Sequence, residues 1–263
     1  MKAITLATLQ AMKANREKFA VLTAYDASFA QQAEKAGIEV LLVGDSLGNV
    51  ILGHNSTVPV SLADMLHHTA AVSRGNSKSL LIADLPYMTY ATPEQAMENA
   101  TRLMQSGAQV VKLEGGAWLE DTVRKLAERG VPVCAHLGLT PQSVHKLGGY
   151  KVQGKGEEAG QKMLDDALCL AAAGADLLVL ECVPTALASK ISDQLSIPVI
   201  GIGAGPGTDA QVLVVYDMLG LSPRVPRFTR NFLAETGSIQ GAMEAYGEAV
   251  RNGTFPAPEH CFQ

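Results

Sequence analysis

Short hydrophobic runs alternate along the chain with longer segments of mixed hydrophobic and polar residues. The runs are nearly uninterrupted, which is typical of strands buried on both faces of a parallel sheet. The segments between them have helical spacing, and several begin at a capping signal, such as Asp26, Ser61–Asp64 or Thr92–Pro93. We predict strands at 19–24, 40–44, 80–83, 110–113, 131–135, 177–180 and 197–202, and an eighth at 212–215 that ends near Asp217.

This alternation favours a (βα)8 TIM barrel formed by residues 1–263 as one domain. An open, doubly wound sheet is the alternative, and Asp209 could cap a helix in place of the eighth strand. The pattern adds an N-terminal helix around Leu6, Leu9 and Met12 and a C-terminal helical appendage at about 238–251. The tail 254–263, with Phe255, Cys261 and Phe262, is expected to pack on a neighbouring subunit.

Composition narrows the classes of function. A net charge of -5 and a pI near 5.7 argue against a nucleic-acid-binding face. No run approaches the roughly 20 apolar residues of a membrane span. The four cysteines are far apart in sequence, as expected for reduced thiols in the cytoplasm.

Polar residues stand at the carboxyl ends of five predicted strands. Residues i and i+2 of a strand share a face, so each polar side chain is predicted to lie with the alternate apolar residues before it. Active sites of (βα)8 barrels form where these strand ends meet. The residues are Asp45, Asp84, Lys112, Glu114, His136 and Glu181.

Four carboxylates at one mouth would repel each other, which predicts a divalent cation. Oxygen ligands favour Mg²⁺ or Mn²⁺, whereas the histidines lack zinc-ligand spacing. Such an ion can chelate a 2-oxo acid and stabilise its enolate while one carboxylate acts as base. Taken singly, the residues have plainer explanations: Asp45, Asp84 and Glu181 as helix caps, Lys112 with Glu114 as a structural ion pair, and His136 as a hydrogen-bonded wall residue.

Two glycine-rich segments are further candidates. The stretch from 137 to about 157 is long enough to form a lid over the mouth. Residues 201–205 could cradle a phosphate, although tight turns explain the glycines equally well.

Seven segments together resemble the ketopantoate hydroxymethyltransferase family. The likeness extends in order from about Thr23 to Thr236 and covers most of the chain. The segments are LLVGDSLG (41–48), ADLPYM (83–88), VKLEGG (111–116), HLGLTPQS (136–143), GGYKVQG (148–154), LECVP (180–184) and GIGAG (201–205).

The resemblance implies a cytoplasmic (βα)8-barrel enzyme that forms homo-oligomers, typically of ten subunits. It implies transfer of a hydroxymethyl group from 5,10-methylenetetrahydrofolate to 3-methyl-2-oxobutanoate, giving 2-dehydropantoate in pantothenate biosynthesis, with Mg²⁺ as cofactor. It also implies roles for six residues: Asp45 and Asp84 as Mg²⁺ ligands beside the substrate, Glu114 on the outer side of the metal, Ser46 and Lys112 as contacts to the oxo acid, and Glu181 as the proton acceptor.

The chain departs from the family pattern at Asn55, where an acidic residue is expected, and at Ala210, where glycine is usual. Neither belongs to the six site residues. Two other functions stay open: a phosphoenolpyruvate-type carbon–carbon lyase or mutase, and a non-catalytic barrel that binds an oxo acid. The first usually carries a cysteine in the lid loop, which residues 137–157 lack, and the second has no need of a base such as Glu181.

Overall fold

A closed barrel of parallel strands forms the centre of the molecule. The computed structural model describes residues 2–222 and 225–263. Within those ranges the strands pair in chain order, and the last pairs with the first. They are β1 (Phe19–Thr23), β2 (Val40–Val43), β3 (Leu80–Asp84), β4 (Val110–Glu114), β5 (Val133–Gly138), β6 (Leu177–Glu181), β7 (Val199–Ile202) and β8 (Ala210–Leu213).

Helices connect the strands and surround the barrel. They are α1 (Leu6–Ala14), α2 (Ala27–Lys35), α3 (Leu47–Val50), α4 (Leu62–Gly75), α5 (Pro93–Gln105), α6 (Glu120–Glu128), α7 (Val144–Leu147), α8 (Glu157–Ala172), α9 (Thr185–Gln194), α10 (Val215–Met218), α11 (Leu233–Thr236) and α12 (Ile239–Arg251). Short 3-10 helices lie at Ala117–Leu119, Pro141–Ser143 and Pro258–His260. None of the helices in the described ranges is long and apolar enough to cross a membrane.

Alternation along the strands divides the core into two buried clusters. One fills the barrel interior and includes Phe19, Val40 and Ile82. The other lies between the strands and the helices. Leu9 of α1 belongs to the interior cluster, and the backbone N–H of Ile4 donates to Lys78 O just before β3. Helix α1 therefore closes the amino-terminal end of the barrel and leaves the carboxyl end for the site.

The closed barrel confirms the predicted fold over the open sheet. The predicted caps are also confirmed. Asp26 accepts a hydrogen bond from Phe29 N at the start of α2, and Ser61 forms a capping box with Asp64 at the start of α4.

The predicted position of the eighth strand is wrong by two residues. Strand β8 begins at Ala210, and the predicted strand end near Asp217 lies in α10. Gln211 interrupts the apolar pattern because its side chain donates inside the protein, to Gly205 O and Thr208 Oγ1. Asp209 caps no helix: it precedes β8, accepts from Val199 N at 2.8 Å and pairs with Lys13 at 2.6 Å.

The prediction that Phe255 packs on a neighbouring subunit is wrong, because its side chain is already buried within its own chain. It is 2% exposed and packs edge-on against Phe232 and Tyr246 of the same chain. The assignment of residues 1–263 to one domain stays a prediction. The predicted domain includes Met1, Pro223 and Arg224, which lie outside the described residues. The C-terminal segment was predicted to begin at Arg224, so its first residue lies outside them too.

Candidate active site

The predicted polar residues meet at the carboxyl ends of β2 to β6. All except Asp45 lie on the strand face that was predicted for them. Alternate residues place Asp84, Lys112 and His136 over the barrel interior as predicted. On β2 the predicted face is wrong: Leu41 and Val43 pack in the outer cluster against helices. Asp45 still reaches the mouth, because β2 ends at Val43 and the chain turns before it.

Asp45 and Asp84 are joined through the turn after β2. The backbone N–H of Asp45 donates to Asp84 Oδ2 at 3.0 Å, and both side chains are buried. A Cβ at Gly44 would lie 2.8 Å from Ser46 Oγ and 3.6 Å from Asp84 Oδ2. Ser46 Oγ is also 2.9 Å from the hydroxyl of Tyr25. Glycine at position 44 therefore makes room for Ser46 beside the aspartates.

Lys112 lies among the carboxylates at the centre of the site. Its Nζ is 3.1 Å from Asp84 Oδ1 and 3.7 Å from Glu114 Oε1, and the residue is 4% exposed. Burial acts to lower the pKa of Lys112, but Asp84, Glu114 and Asp45 together raise it by more, so the net shift is upward. The lysine is therefore a permanent cation at this mouth.

Glu114 is held on both carboxylate oxygens. Oε1 lies 3.3 Å from His136 Nδ1, and Oε2 accepts from the backbone N–H of Gln142 at 3.0 Å. Burial acts to raise the pKa of Glu114, but His136, Lys112 and the Gln142 N–H outweigh it and lower the pKa below its ordinary value. Glu114 therefore stays ionised without solvent.

His136 connects Glu181 to this cluster. Its Nδ1 faces Glu114, and its Nε2 is 3.4 Å from Glu181 Oε2. Burial and Lys112 act to lower the pKa of His136, but Glu114 and Glu181 outweigh them and raise it to about 9. Among the described residues Nε2 makes no well-directed hydrogen bond, and neither does Asp84 Oδ1. The protonated Nε2 can therefore donate to a ligand group, whereas Asp84 Oδ1, which lies beside Lys112 Nζ, can accept from one.

The backbone beside Glu181 has an unusual conformation. Gly138, opposite Glu181 in the β5–β6 pairing, has φ +93°, and a Cβ there would lie 2.2 Å from Glu181 O. Cys182, the next residue after Glu181, has φ +48°, which is uncommon for a residue with a side chain. Such backbone conformations cluster at functional sites, and this one directly follows Glu181.

Sequence reasoning missed two residues that bind the carboxylates together, Gln142 and Tyr90. Gln142 Nε2 donates to Asp45 Oδ2 at 2.9 Å, and the Tyr90 hydroxyl donates to Gln142 Oε1. Tyr90 also lies 3.4 Å from the backbone N of Glu114. The one available signal was the position of Gln142 in a turn directly after a strand that ends in a site residue.

The segment 137–157 is less irregular than predicted. It contains the 3-10 helix Pro141–Ser143 and α7, and Leu139 and Val144 are buried in it. Tyr150, 59% exposed, is part of its outer portion. Partial burial raises the pKa of Tyr150, and the negative charges of Glu181 and Asp45 raise it further. Its action as a lid stays a prediction.

The donor set fits a magnesium ion held by few protein ligands. Among the described residues no three His, Cys, Asp or Glu side chains form a ready metal cage, and the oxygens of Glu114 are already occupied. Burial raises the pKa of Asp45 well above its ordinary value, and Glu114 and Asp84 raise it further, against weaker opposition from Lys112. A cation beside Asp45 and Asp84 would remove that penalty, and Mg²⁺ often takes one or two carboxylates plus water and substrate.

Fold and site together define a (βα)8-barrel enzyme with an acidic site at the carboxyl ends of its strands. The sequence comparisons give the particular family. The chain belongs to the ketopantoate hydroxymethyltransferase family, whose model matches residues 3–258.

Similar proteins cover the whole chain. The 3-methyl-2-oxobutanoate hydroxymethyltransferase of Shewanella sp. (strain MR-4) is 60% identical over 263 residues, which are 100% of each chain. That of Saccharophagus degradans is 59% identical over 99% of this chain and 97% of its own. A crystal structure of 2,3-dimethylmalate lyase, a member of the PEP mutase/isocitrate lyase superfamily, has a TM-score of 0.60 at 17% identity and covers 98% of this chain and 93% of that one. At that identity the likeness concerns the fold alone.

Proposed function

We propose that this protein transfers a hydroxymethyl group to 3-methyl-2-oxobutanoate, forming 2-dehydropantoate for pantothenate biosynthesis. Full-length relatives at about 60% identity carry the name 3-methyl-2-oxobutanoate hydroxymethyltransferase. The observation that carries the proposal is the buried cluster of Asp84, Lys112, Glu114 and His136 with Glu181 at its edge. It combines a fixed cation with carboxylates and two buried atoms that still lack a well-directed hydrogen bond.

We further propose that Asp45 and Asp84 hold Mg²⁺, with Glu114 on its outer side. When bound, the ion supplies Lewis-acid polarisation of the 2-oxo group. Asp84 Oδ1 accepts no well-directed hydrogen bond and Asp45 lies in an excess of negative charge, which supports this assignment. Ser46 and Lys112 then bind the oxo acid, and Lys112 offsets the charge of its carboxylate.

Glu181 is the proposed base that removes the proton at C3 of the oxo acid. Its Oε2 lies 3.4 Å from His136 Nε2, so the charged imidazole stands beside the carboxylate on one side. The side chain keeps 15% of its surface exposed, more than the 3% of Glu114. Glu181 is therefore the carboxylate that a substrate entering from solvent can reach.

The proposed donor of the one-carbon unit is 5,10-methylenetetrahydrofolate. Adding CH2OH to a nucleophilic carbon requires a one-carbon unit at the oxidation level of formaldehyde. The methylene carbon supplies it, water supplies the hydroxyl oxygen, and tetrahydrofolate leaves.

The proposed setting is the cytoplasm, with the chain in a homo-oligomer of ten subunits as the family resemblance implies. All four cysteines are free thiols, two of them buried, which suits a reducing compartment. Exposed apolar side chains such as Ile51, Leu52, Leu221 and Ile239 offer surface that subunit contacts can cover.

A turnover assay with oxo acid, 5,10-methylenetetrahydrofolate and Mg²⁺ tests the proposed function. We expect 2-dehydropantoate to form only when all three are present, and chelation of the metal to stop it. Cleavage of a carbon–carbon or carbon–phosphorus bond without folate would indicate a lyase or mutase instead. Binding of the oxo acid without any turnover would indicate a non-catalytic barrel.

A further inference from the structure

Gln142 lies between two of the carboxylates that the proposed magnesium site requires. It is 5% exposed and belongs to the 3-10 helix Pro141–Ser143 directly after β5. N–H groups in the first turn of a helix have no partner within the helix. That of Gln142 donates to Glu114 Oε2 at 3.0 Å, so the helix start fixes one carboxylate.

The side chain of Gln142 fixes the second carboxylate. Its Nε2 donates to Asp45 Oδ2 at 2.9 Å and to Leu85 O at 3.0 Å, while Oε1 accepts from the Tyr90 hydroxyl. A flipped amide would set Oε1 against a carboxylate and a carbonyl oxygen, which cannot donate. The network therefore allows only one orientation of the amide.

We propose that Gln142 is a positioning residue that holds Asp45 and Glu114 in the arrangement that binds the divalent cation. The proposal rests on the function proposed above. A carboxylate fixed by a hydrogen bond loses less conformational freedom when it ligates a metal, and removal of such outer partners commonly weakens metal binding about 10–100-fold. Gln142 touches no reacting atom and acts through Asp45 and Glu114.

Gln142→Met tests the proposal, because methionine keeps the length of the side chain and removes the Nε2 donor to Asp45, while the backbone N–H that donates to Glu114 remains. Gln211→Met is the matched control: Gln211 on β8 is also buried, at 3% exposure, and its Nε2 also donates two hydrogen bonds, but to Gly205 O and Thr208 Oγ1 in the loop between β7 and β8. The probe is Mn²⁺ alone, with the free ion measured by electron paramagnetic resonance on the full-length protein. Thermal unfolding of each variant shows whether it is folded.

We expect Gln142→Met to raise the Kd for Mn²⁺ about 10–100-fold and Gln211→Met to keep the wild-type value. Tyr90→Phe, which keeps Gln142 but removes the bond that orients its amide, should raise the Kd by a smaller factor. The rate at which Gln142→Met exchanges the C3 proton of the oxo acid should return to the wild-type rate at saturating Mn²⁺, because the substitution weakens metal binding and leaves the base in place.

Three results would overturn the role of Gln142: a wild-type Kd in Gln142→Met, an equal rise in Gln211→Met, or, if Gln142→Met does not fold, a wild-type Kd in Tyr90→Phe. Tight binding of Mn²⁺ by the wild-type protein in those cases leaves the magnesium proposal standing. Failure of the wild-type protein to bind Mn²⁺ would instead overturn the magnesium site, and this inference with it.

Discussion

At the scale of single residues, Lys112 decides whether the site can exist in a folded barrel. Asp84 and Glu114 are both buried, and Lys112 Nζ lies between them at 3.1 and 3.7 Å. Buried carboxylates without a cation are strongly destabilising, because neither water nor an opposite charge compensates them. The lysine thus supports the fold as well as the binding of an oxo acid.

We predict that Lys112→Met lowers the free energy of unfolding by about 3–5 kcal/mol, since buried Asp84 loses its cationic partner and Glu114 is left with His136 alone as a cation. Denaturant unfolding measures the change, and added Mg²⁺ should restore part of it. Lys125→Met is the control, because Lys125 pairs with Asp121 on the surface of α6 and its loss should change stability little. Equal effects of the two substitutions would show that burial of the Lys112 cluster is energetically unimportant.

The sequence identified Asp45, Asp84, Lys112, Glu114, His136 and Glu181 as a group because each lies within two residues of a strand end. Their separate contacts were not predictable in this way. Gln142 is 97 positions from Asp45 in sequence, and no local pattern marks the hydrogen bond between them. Asp45 lies at the mouth because the chain turns after Val43, and the strand pattern did not predict that turn.

At the scale of elements, the sequence predicted the starts of α2, α4 and α5 correctly, because a helix start depends on hydrogen bonds between residues close in sequence. Caps were recognisable because the side chain of Asp26, Ser61 or Thr92 satisfies a backbone N–H within three residues. Strand β8 was misplaced because Gln211 finds its partners inside the protein, and such long-range satisfaction allows a polar residue within a buried strand.

Thr92→Ala should lower the free energy of unfolding by about 1 kcal/mol, because it leaves the Gln95 N–H at the start of α5 without its partner. The matched control is Thr101→Ala, on the same helix and also exposed, where alanine improves helix propensity and only a bond back to Met97 O is lost. Denaturant unfolding of both variants checks the prediction. A loss at Thr101 as large as that at Thr92 would contradict a capping role.

At the scale of the whole molecule, the barrel must close between its first and last strands. Tyr246 of α12 lies at this seam: its hydroxyl is 3.0 Å from Val21 O on β1 and 2.9 Å from Gln211 O on β8. Phe232 and Phe255 pack around its ring. Helix α12 therefore stabilises the pairing of β1 with β8. The sequence pattern predicted this helix only as an appendage and did not indicate such a contact.

Tyr246→Phe should lower the free energy of unfolding by about 1–2 kcal/mol, because the seam loses a buried hydrogen bond with no water to replace it. Tyr87→Phe, at a residue that is 43% exposed, should leave stability unchanged, since water solvates that hydroxyl. Thermal unfolding monitored by calorimetry compares the two. Identical unfolding of Tyr246→Phe and the wild-type protein would mean that the hydroxyl does not stabilise the closure.

The central claim is that Glu181 removes the C3 proton of a 2-oxo acid held at the metal and lysine site. Deuterium exchange at C3 of 3-methyl-2-oxobutanoate, with Mg²⁺ and without folate, tests it most directly because it isolates this step. We predict rapid exchange by the wild-type protein, a similar rate for Glu98→Gln on the exposed surface of α5, and a loss of about 100-fold or more for Glu181→Gln. Exchange by Glu181→Gln at the wild-type rate would contradict the account.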